Sequence, residues 1–211
     1  MSEKEEISLR AEFARKGIHI LALVIPIGYS FLPFYVALIS VTLSALISIF
    51  VDISRFRQWK LWHLLAVVLT PIIRDHEFKG GFSGASYILT TSAITIALFP
   101  KPIAVAALVF IIIGDTAAAL IGRRFGRHKI IGKKSFEGSG ACLLSLAIVS
   151  FFIPGLPTPI GLAGALVATL AELFTGKIDD NFTVPISSGF VMLLIMHFME
   201  YEEAVIFSAF R

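Results

Sequence analysis

The sequence predicts an all-α, polytopic integral membrane bundle of about seven transmembrane helices plus one in-plane or re-entrant amphipathic helix. Three observations predict it. The chain of 211 residues is 56% hydrophobic and only 16% charged, with a mean hydropathy of +0.86, more apolar and less charged than an ordinary soluble domain. Its apolar residues gather in long runs, not in the alternating ten-residue segments of a β-barrel. Its cations concentrate in a few short polar segments between those runs, the pattern of topology-setting loops.

Residues 1–14, within MSEKEEISLRAEFARK, carry mixed charge with no short apolar stretch and cleavage site behind them; no cleaved signal peptide is read. Apolar runs at Gly17–Phe31, Phe34–Val51, Phe82–Phe99, Pro102–Ile121, Gly140–Ile153, Thr158–Phe174 and Val184–Phe198 are the candidate spans. Several are short of the roughly 17–25 residues a crossing needs, which suggests a compact bundle with a polar cavity at one side. Pro26 and Pro33 bound or kink the first span, and Pro154, Pro157 and Pro159 mark a tight turn. The stretch Phe56–Ile73 holds both tryptophans, Trp59 and Trp62, behind the basic start RFRQWK. It reads as a helix lying in the interface, with an ordinary crossing as the alternative.

The positive-inside rule chooses between the two. If the tryptophan segment does not cross and the N-terminus is cytoplasmic, nearly all Lys and Arg share the cytoplasmic face and only Lys101 and Arg211 fall outside. The expectation is therefore a single membrane-embedded domain, residues 1–211, in the cell membrane, with its polar motifs on the cytoplasmic side and residues 200–211 a short tail. Cys142 is the single cysteine, so neither an internal disulfide nor a CxxC site is available.

Five polar groups meet that face. Arg15 and His19 are four apart and share a helix side, with Lys16 beside them; the two cations read as anchors, whereas a histidine inside a span usually faces a cavity. Asp52 and Arg55 end the second span as an ion pair or a functional pair. Arg74 to Gly81, with Glu77, reads as a solvated loop or a substrate contact whose glycines allow close backbone approach.

Fourth is the segment Gly114–Gly138. Asp115 lies among apolar residues, where an unpartnered carboxylate is costly; a magnesium ion or a basic neighbour would relieve that cost. Six cations follow, Arg123, Arg124, Arg127, Lys129, Lys133 and Lys134, able to face phosphates, and glycines at 122, 126, 132 and 138 expose backbone N–H groups. Glu137 serves the metal or holds a lysine. A basic topology-setting loop is the simpler reading, but it leaves Gly114-Asp115 and Ser135-x-Glu137-Gly138 unexplained. The segment is not a Walker A loop. Fifth, Glu172 sits in the end of an apolar run, and Asp179, Asp180 and Asn181 open the last span as helix caps or hard oxygen ligands. Together these residues suggest nucleotide chemistry at a bilayer surface.

The set resembles the CTP-dependent lipid kinases, the family of dolichol kinase, phytol kinase and the fungal CTP-dependent diacylglycerol kinase, distantly related to phosphatidate cytidylyltransferase. The resemblance runs through Arg15-Lys16-x-x-His19, Asp52-x-x-Arg55, Arg74-x-x-Glu77, Gly114-Asp115-Thr116-Ala117-Ala118, Gly122-x-x-x-Gly126, Lys129-Ile130, Lys134-Ser135-x-Glu137-Gly138, Glu172, Asp180-Asn181 and Val184-Pro185. It covers about residues 15 to 190, and the GD…KSxEG block is its specific part. It implies transfer of the γ-phosphate of CTP to a lipid hydroxyl, on a polyprenol, dolichol or phytol-like alcohol first and diacylglycerol next.

Under it Asp115 takes Mg2+, with Glu172 and Asp180 as further ligands. Arg15, Lys16, Gly122, Lys129, Lys133, Lys134, Ser135, Glu137 and Gly138 hold the triphosphate. Lys16, His19 and Asp180 stand with Asp115 in catalysis, His19 or Asp180 as the base. Asp52, Arg55, Arg74, Glu77 and Asn181 contact substrate or support the fold. The expected partners are CTP, a lipid alcohol and the bilayer, not nucleic acid, and a homodimer is compatible with the reading. Two alternatives compete: a cytidylyltransferase making a CDP-lipid, and a transporter with an anion-binding mouth. No repeat of the kind transporters show joins the two halves.

Overall fold

The computed structural model describes residues 17, 19–69, 81–132, 134–174 and 179–199. Helices α1 (Val24–Phe31), α2 (Phe34–Phe56) and α3 (Lys60–Leu69) lead to α4 (Gly84–Leu98) and α5 (Lys101–Phe125). A short antiparallel hairpin, β1 (Lys129–Ile131) and β2 (Lys134–Ser135), then joins α5 to α6 (Phe136–Ser150), α7 (Thr158–Phe174) and α8 (Asp180–Phe198).

The expected count of about seven transmembrane helices is overturned. Among the described residues three helices are long and apolar enough to cross a membrane: α2, α5 and α8, of 23, 25 and 19 residues. The other apolar helices, His19–Phe31, Gly84–Leu98, Phe136–Ser150 and Thr158–Phe174, have 10–17 residues. At 1.5 Å per residue, fifteen residues reach about 22 Å, short of a hydrocarbon core of about 30 Å. Apolar composition had been read as span, but helix length decides. The three long helices support a multi-pass membrane location.

The all-α expectation also gives way, because Lys129–Ile131 and Lys134–Ser135 pair as strands. Lys129 pairs with Ser135 and Ile131 with Lys134, with a bulge between, and Gly132 takes the left-handed φ of 56° at the turn. Within the expected Phe56–Ile73 helix the start differs, and residues 70–73 lie outside the described residues. α2 runs on to Phe56, a turn with Gln58 at φ 50° breaks the chain, and α3 occupies Lys60–Leu69.

Helix starts follow local chemistry. Pro33 and Pro100 stand at the N-caps of α2 and α5. Ser83, Ser135 and Asp179 cap α4, α6 and α8 by accepting the backbone N–H of Ser86, Gly138 and Asn181, which satisfies donors a helix start leaves open. α5 is the central element, buried along most of its apolar length and packed against α1, α4, α6, α7 and α8. Small residues bring the neighbours close: a Cβ on Gly164 would stand 2.5 Å from Met192 Sδ, and one on Gly189 2.6 Å from the Phe99 ring.

Cross-contacts set the helix directions. Lys101 Nζ at the start of α5 donates to the Leu32 carbonyl just after α1, at 2.9 Å, whereas His19, ahead of α1, meets Asp115 well along α5. α1 and α5 are therefore antiparallel. Lys134, before α6, meets Glu172 near the end of α7. The chain thereby collects its charged side chains toward the end of the bundle where α5 finishes.

Candidate active site

Asp115 sits fifteen residues into α5, next to Gly114. Gly114 is a contact point: a Cβ there would lie 3.0 Å from Cys142 Sγ and 3.2 Å from Leu146, so glycine lets α5 and α6 touch at this level. The Asp115 carboxylate lies 3.4 Å from His19 Nε2, the two side chains 22% and 11% exposed. That separation suits an ion pair when the ring is protonated. It also accounts for a carboxylate in an apolar helix, since the cost of burial falls with an opposite charge nearby.

A second pair closes the other side. Lys134 Nζ, on β2, lies 3.0 Å from Glu172 Oε1 and also donates to the Glu172 main-chain carbonyl. Glu172 is buried and Lys134 partly so. Two of the three ammonium donors are thus engaged on α7, and one is left to point elsewhere. Cys142, on α6, meets both neighbouring helices: a Cβ on Gly114, next to Asp115, would stand 3.0 Å from its Sγ, and Thr169 Oγ1, one turn before Glu172, lies 3.6 Å from it.

The Ser135-x-Glu137-Gly138 step is built by packing. Ser135 Oγ accepts from Gly138 N–H at 3.2 Å and is buried. A Cβ on Gly138 would stand 2.9 Å from the Ala118 carbonyl and 3.2 Å from Gly122 Cα, and one on Gly126 would strike Ser135. Gly122, Gly126 and Gly138 therefore allow α5 and the start of α6 to close around Ser135. Glu137 accepts from the His128 ring at 2.7 Å and from the His128 backbone N–H at 3.3 Å. The His128 ring bond, followed by backbone donors, holds its carboxyl down at about 2. Among the described residues its partner is the histidine.

Asp52 and Arg55 form a buried cluster at the end of α2. Asp52 Oδ1 accepts from Arg55 Nη2 at 3.0 Å, and Oδ2 accepts from Ser83 N–H and Oγ, both at 2.9 Å, and from Ser86 Oγ at 2.6 Å. Arg55 Nη2 also donates to the Gly81 carbonyl at 2.7 Å. Asp180 opens α8 behind its cap Asp179, whose Oδ1 also accepts from Asn181 Nδ2 at 2.7 Å.

The structure thus brings together His19 with Asp115, Lys134 with Glu172, and Ser135 with Gly122 and Gly138. Lys129 lies exposed on β1. Arg15, Lys16, Arg74, Glu77 and Lys133 lie outside the described residues. Among the described residues no three His, Cys, Asp or Glu side chains gather closely enough to hold a metal on their own, so Asp115, Glu172 and Asp180 do not form a ready three-carboxylate centre. Sequence reasoning missed Ser83 and Ser86 as partners of Asp52, and His128 as the partner of Glu137. The serine N-cap ahead of an apolar run was a usable signal for Ser83. The His128 pairing depended on the hairpin and had none.

A protein of Rickettsia prowazekii, itself uncharacterized, is 30% identical to this chain over 185 residues, which cover 83% of this chain and 90% of that protein. The chain belongs to that protein's family. Two fungal proteins carry the relationship further. The CTP-dependent diacylglycerol kinase 1 of Schizosaccharomyces pombe is 26% identical over 163 residues, covering 69% of this chain and 74% of the fungal protein. Its namesake from Eremothecium gossypii is 26% identical over 178 residues, covering 71% and 55% respectively. The family is thereby related, at a distance, to lipid kinases. No family model and no solved structure matches the chain.

Proposed function

We propose that this chain is a CTP-dependent lipid kinase that transfers the γ-phosphate of CTP to the hydroxyl of a membrane lipid alcohol. The observation that carries the reading is the pairing of His19 with Asp115 and of Lys134 with Glu172, their carboxylates on two helices, α5 and α7, that both meet α6 at Cys142, in a chain whose two fungal relatives bear that activity in their names. Those names bring diacylglycerol to the front of the acceptors; polyprenol, dolichol and phytol-like alcohols remain the others to test.

Phosphoryl transfer asks a protein mainly for positioning and charge neutralisation. Magnesium usually keeps several waters and takes one or two protein carboxylates besides phosphate oxygens, so Asp115 with the nucleotide suits it without a three-carboxylate centre. The ion supplies neutralisation of developing charge on the phosphates. Glu172, engaged by Lys134, fixes that lysine and leaves one N–H donor for a phosphate oxygen. Exposed Lys129, with Arg123, Arg124 and Arg127, raises the local concentration of anions. Arg15, Lys16 and Lys133 complete the triphosphate contacts in this reading. His19 would accept the proton of the lipid hydroxyl, its ring oriented by Asp115 at 3.4 Å; Asp180 is the other candidate base. The clustering of Lys and Arg in the sequence supports a cytoplasmic orientation for this end of the bundle, the side where CTP is found.

Purified protein with γ-labelled CTP, Mg2+ and a panel of lipid alcohols should yield labelled lipid phosphate. Transfer of label from the cytosine ring into lipid would instead make the protein a cytidylyltransferase. No turnover of any nucleotide would sink both.

A further inference from the structure

The Asp52–Arg55 corner holds an imbalance that the transfer reaction does not use. Arg55 is 3% exposed. Its Nη2 is fully engaged, on Asp52 and on the Gly81 carbonyl. Its Nε and Nη1 carry the other three of the five guanidinium donors, and both are buried with no acceptor among the described residues. Unpaired donors on a buried cation cost more than those on a neutral group.

Asp52 cannot make up the deficit. Its Oδ2 already takes three donors, from Ser83 N–H, Ser83 Oγ and Ser86 Oγ, and its Oδ1 takes Nη2. The Phe56 ring, 5.0 Å from the guanidinium carbon, supplies a π face but no oxygen. The open donors call for a group with several acceptor oxygens on one centre, and phosphate is such a group.

The surroundings point the same way. From Asp52 to Lys60 the chain carries one carboxylate against three cations, Arg55, Arg57 and Lys60. Arg57 and Lys60 are exposed, while Trp59 packs on Phe50 with ring centres 5.7 Å apart and Trp62 is buried. Beyond them α3 presents Leu64 and Val67, 77% and 83% exposed. Cations beside tryptophan, followed by an outward apolar face, is how a segment sits at the level of anionic headgroups.

We propose that Arg55, with Arg57 and Lys60, forms a subsite for a phosphate group, borne by an anionic membrane lipid or free in solution. The subsite does not rest on the transfer reaction, and its test reads no turnover.

Trp59 and Trp62 are the only tryptophans of the chain, so intrinsic fluorescence reports on this corner. The full chain in phosphatidylcholine nanodiscs is titrated in two arms, without nucleotide. In one arm the discs carry increasing phosphatidate; in the other inorganic phosphate is added to neutral discs. A saturable change in the phosphatidate arm alone assigns the site to a lipid headgroup. The same change with inorganic phosphate supports the phosphate site and assigns a soluble source. Arg55→Lys keeps the charge facing Asp52 but lacks Nε and Nη1, and is expected to weaken binding roughly tenfold or more. The double variant Arg57→Gln/Lys60→Gln leaves the buried network intact and is expected to weaken it several-fold, which keeps the question open to test should Arg55→Lys not fold. No saturable change in either arm, or wild-type affinity in a folded variant of either kind, overturns the proposal.

Discussion

Glu172→Gln separates the metal-ligand role that the family resemblance implies from the anchoring of Lys134 that the structure shows. The substitution keeps shape and acceptor oxygen and removes the charge. At the 3.0 Å separation from Lys134 Nζ, the Coulomb attraction is about 5–6 kcal/mol at an effective dielectric of about 20, which is an upper bound. The Lys134 side chain is 27% exposed and that of Glu172 9%, so screening and desolvation reduce the net loss to about 1–2 kcal/mol. For a chain of this size that lowers Tm by about 2–8 °C. Lys134→Met should cost more, about 3–5 kcal/mol, because it strands a buried carboxylate. The double variant should recover much of that difference. The assay is thermal unfolding of all four proteins in one detergent, followed by helical circular dichroism, with Mg2+ titrations of turnover alongside. Under the anchor role Glu172→Gln melts lower, binds CTP more weakly and keeps its Mg2+ requirement. Unaltered Tm with a steep rise in the Mg2+ needed for turnover would refute the reasoning and return Glu172 to the metal.

Three further outcomes are expected. Asp115→Asn should lower turnover by about a thousandfold or more, as loss of an electrostatic catalytic group does, while its Tm stays within a few degrees because the side chain is partly exposed; near-normal kcat would remove Asp115 from the metal. Gly138→Ala should destabilise by about 1–3 kcal/mol through overpacking, since its Cβ would press on the Ala118 carbonyl at 2.9 Å; an unchanged melting curve would show that α5 and α6 do not close as described. Glu137, held down at about 2, contributes stability that is present above the ordinary carboxylate value of 4.5 and is lost as pH falls toward 2. The Tm gap between wild type and Glu137→Gln should therefore be present at pH 5 and close between 4.5 and 2, and a gap that persists at pH 2 would contradict the His128–Glu137 contact.

What the sequence could and could not disclose follows from the range of each interaction. Capping is local, so Ser135 and Asp179 ahead of α6 and α8 were legible as helix starts. The need of Asp115 for a partner was legible too, because a carboxylate in an apolar helix demands one wherever that partner sits. The partner itself, His19, lies 96 positions away in the chain and could be placed beside it only by the fold. Span counting failed for a different reason. Hydropathy reports that a run avoids water, and a run can do so inside a bundle as well as in lipid. Ile160, Ala165 and Ala168 on α7 are buried against protein while Leu162, Leu166 and Leu170 face outward, so part of its apolar character is spent on neighbours, and its 17 residues do not place it among the three long candidate spans. The hairpin escaped notice because its two strands, of three and two residues, are too short for a periodic pattern.

The pairing of charges bears on how such a site can work. Each of four carboxylates, Asp52, Asp115, Glu137 and Glu172, stands within 3.4 Å of a nitrogen on Arg55, His19, His128 or Lys134. Two of those nitrogens belong to histidines, whose charge depends on pH and surroundings, and two to groups that stay protonated. The permanent pairs, at Arg55 and Lys134, include the two carboxylates that are most buried, Asp52 and Glu172, where a lost counter-charge would be most costly. The adjustable pair at His19 faces Asp115, the carboxylate to which the proposed function gives the cation. A cation held there would take over the part of a protonated ring, and His19 Nε2 would then be open to the proton of a hydroxyl. Such a coupling would require a titratable partner at Asp115 and a fixed one at Glu172. Exchanging them would leave a permanent cation competing with magnesium and a titratable one guarding the buried carboxylate.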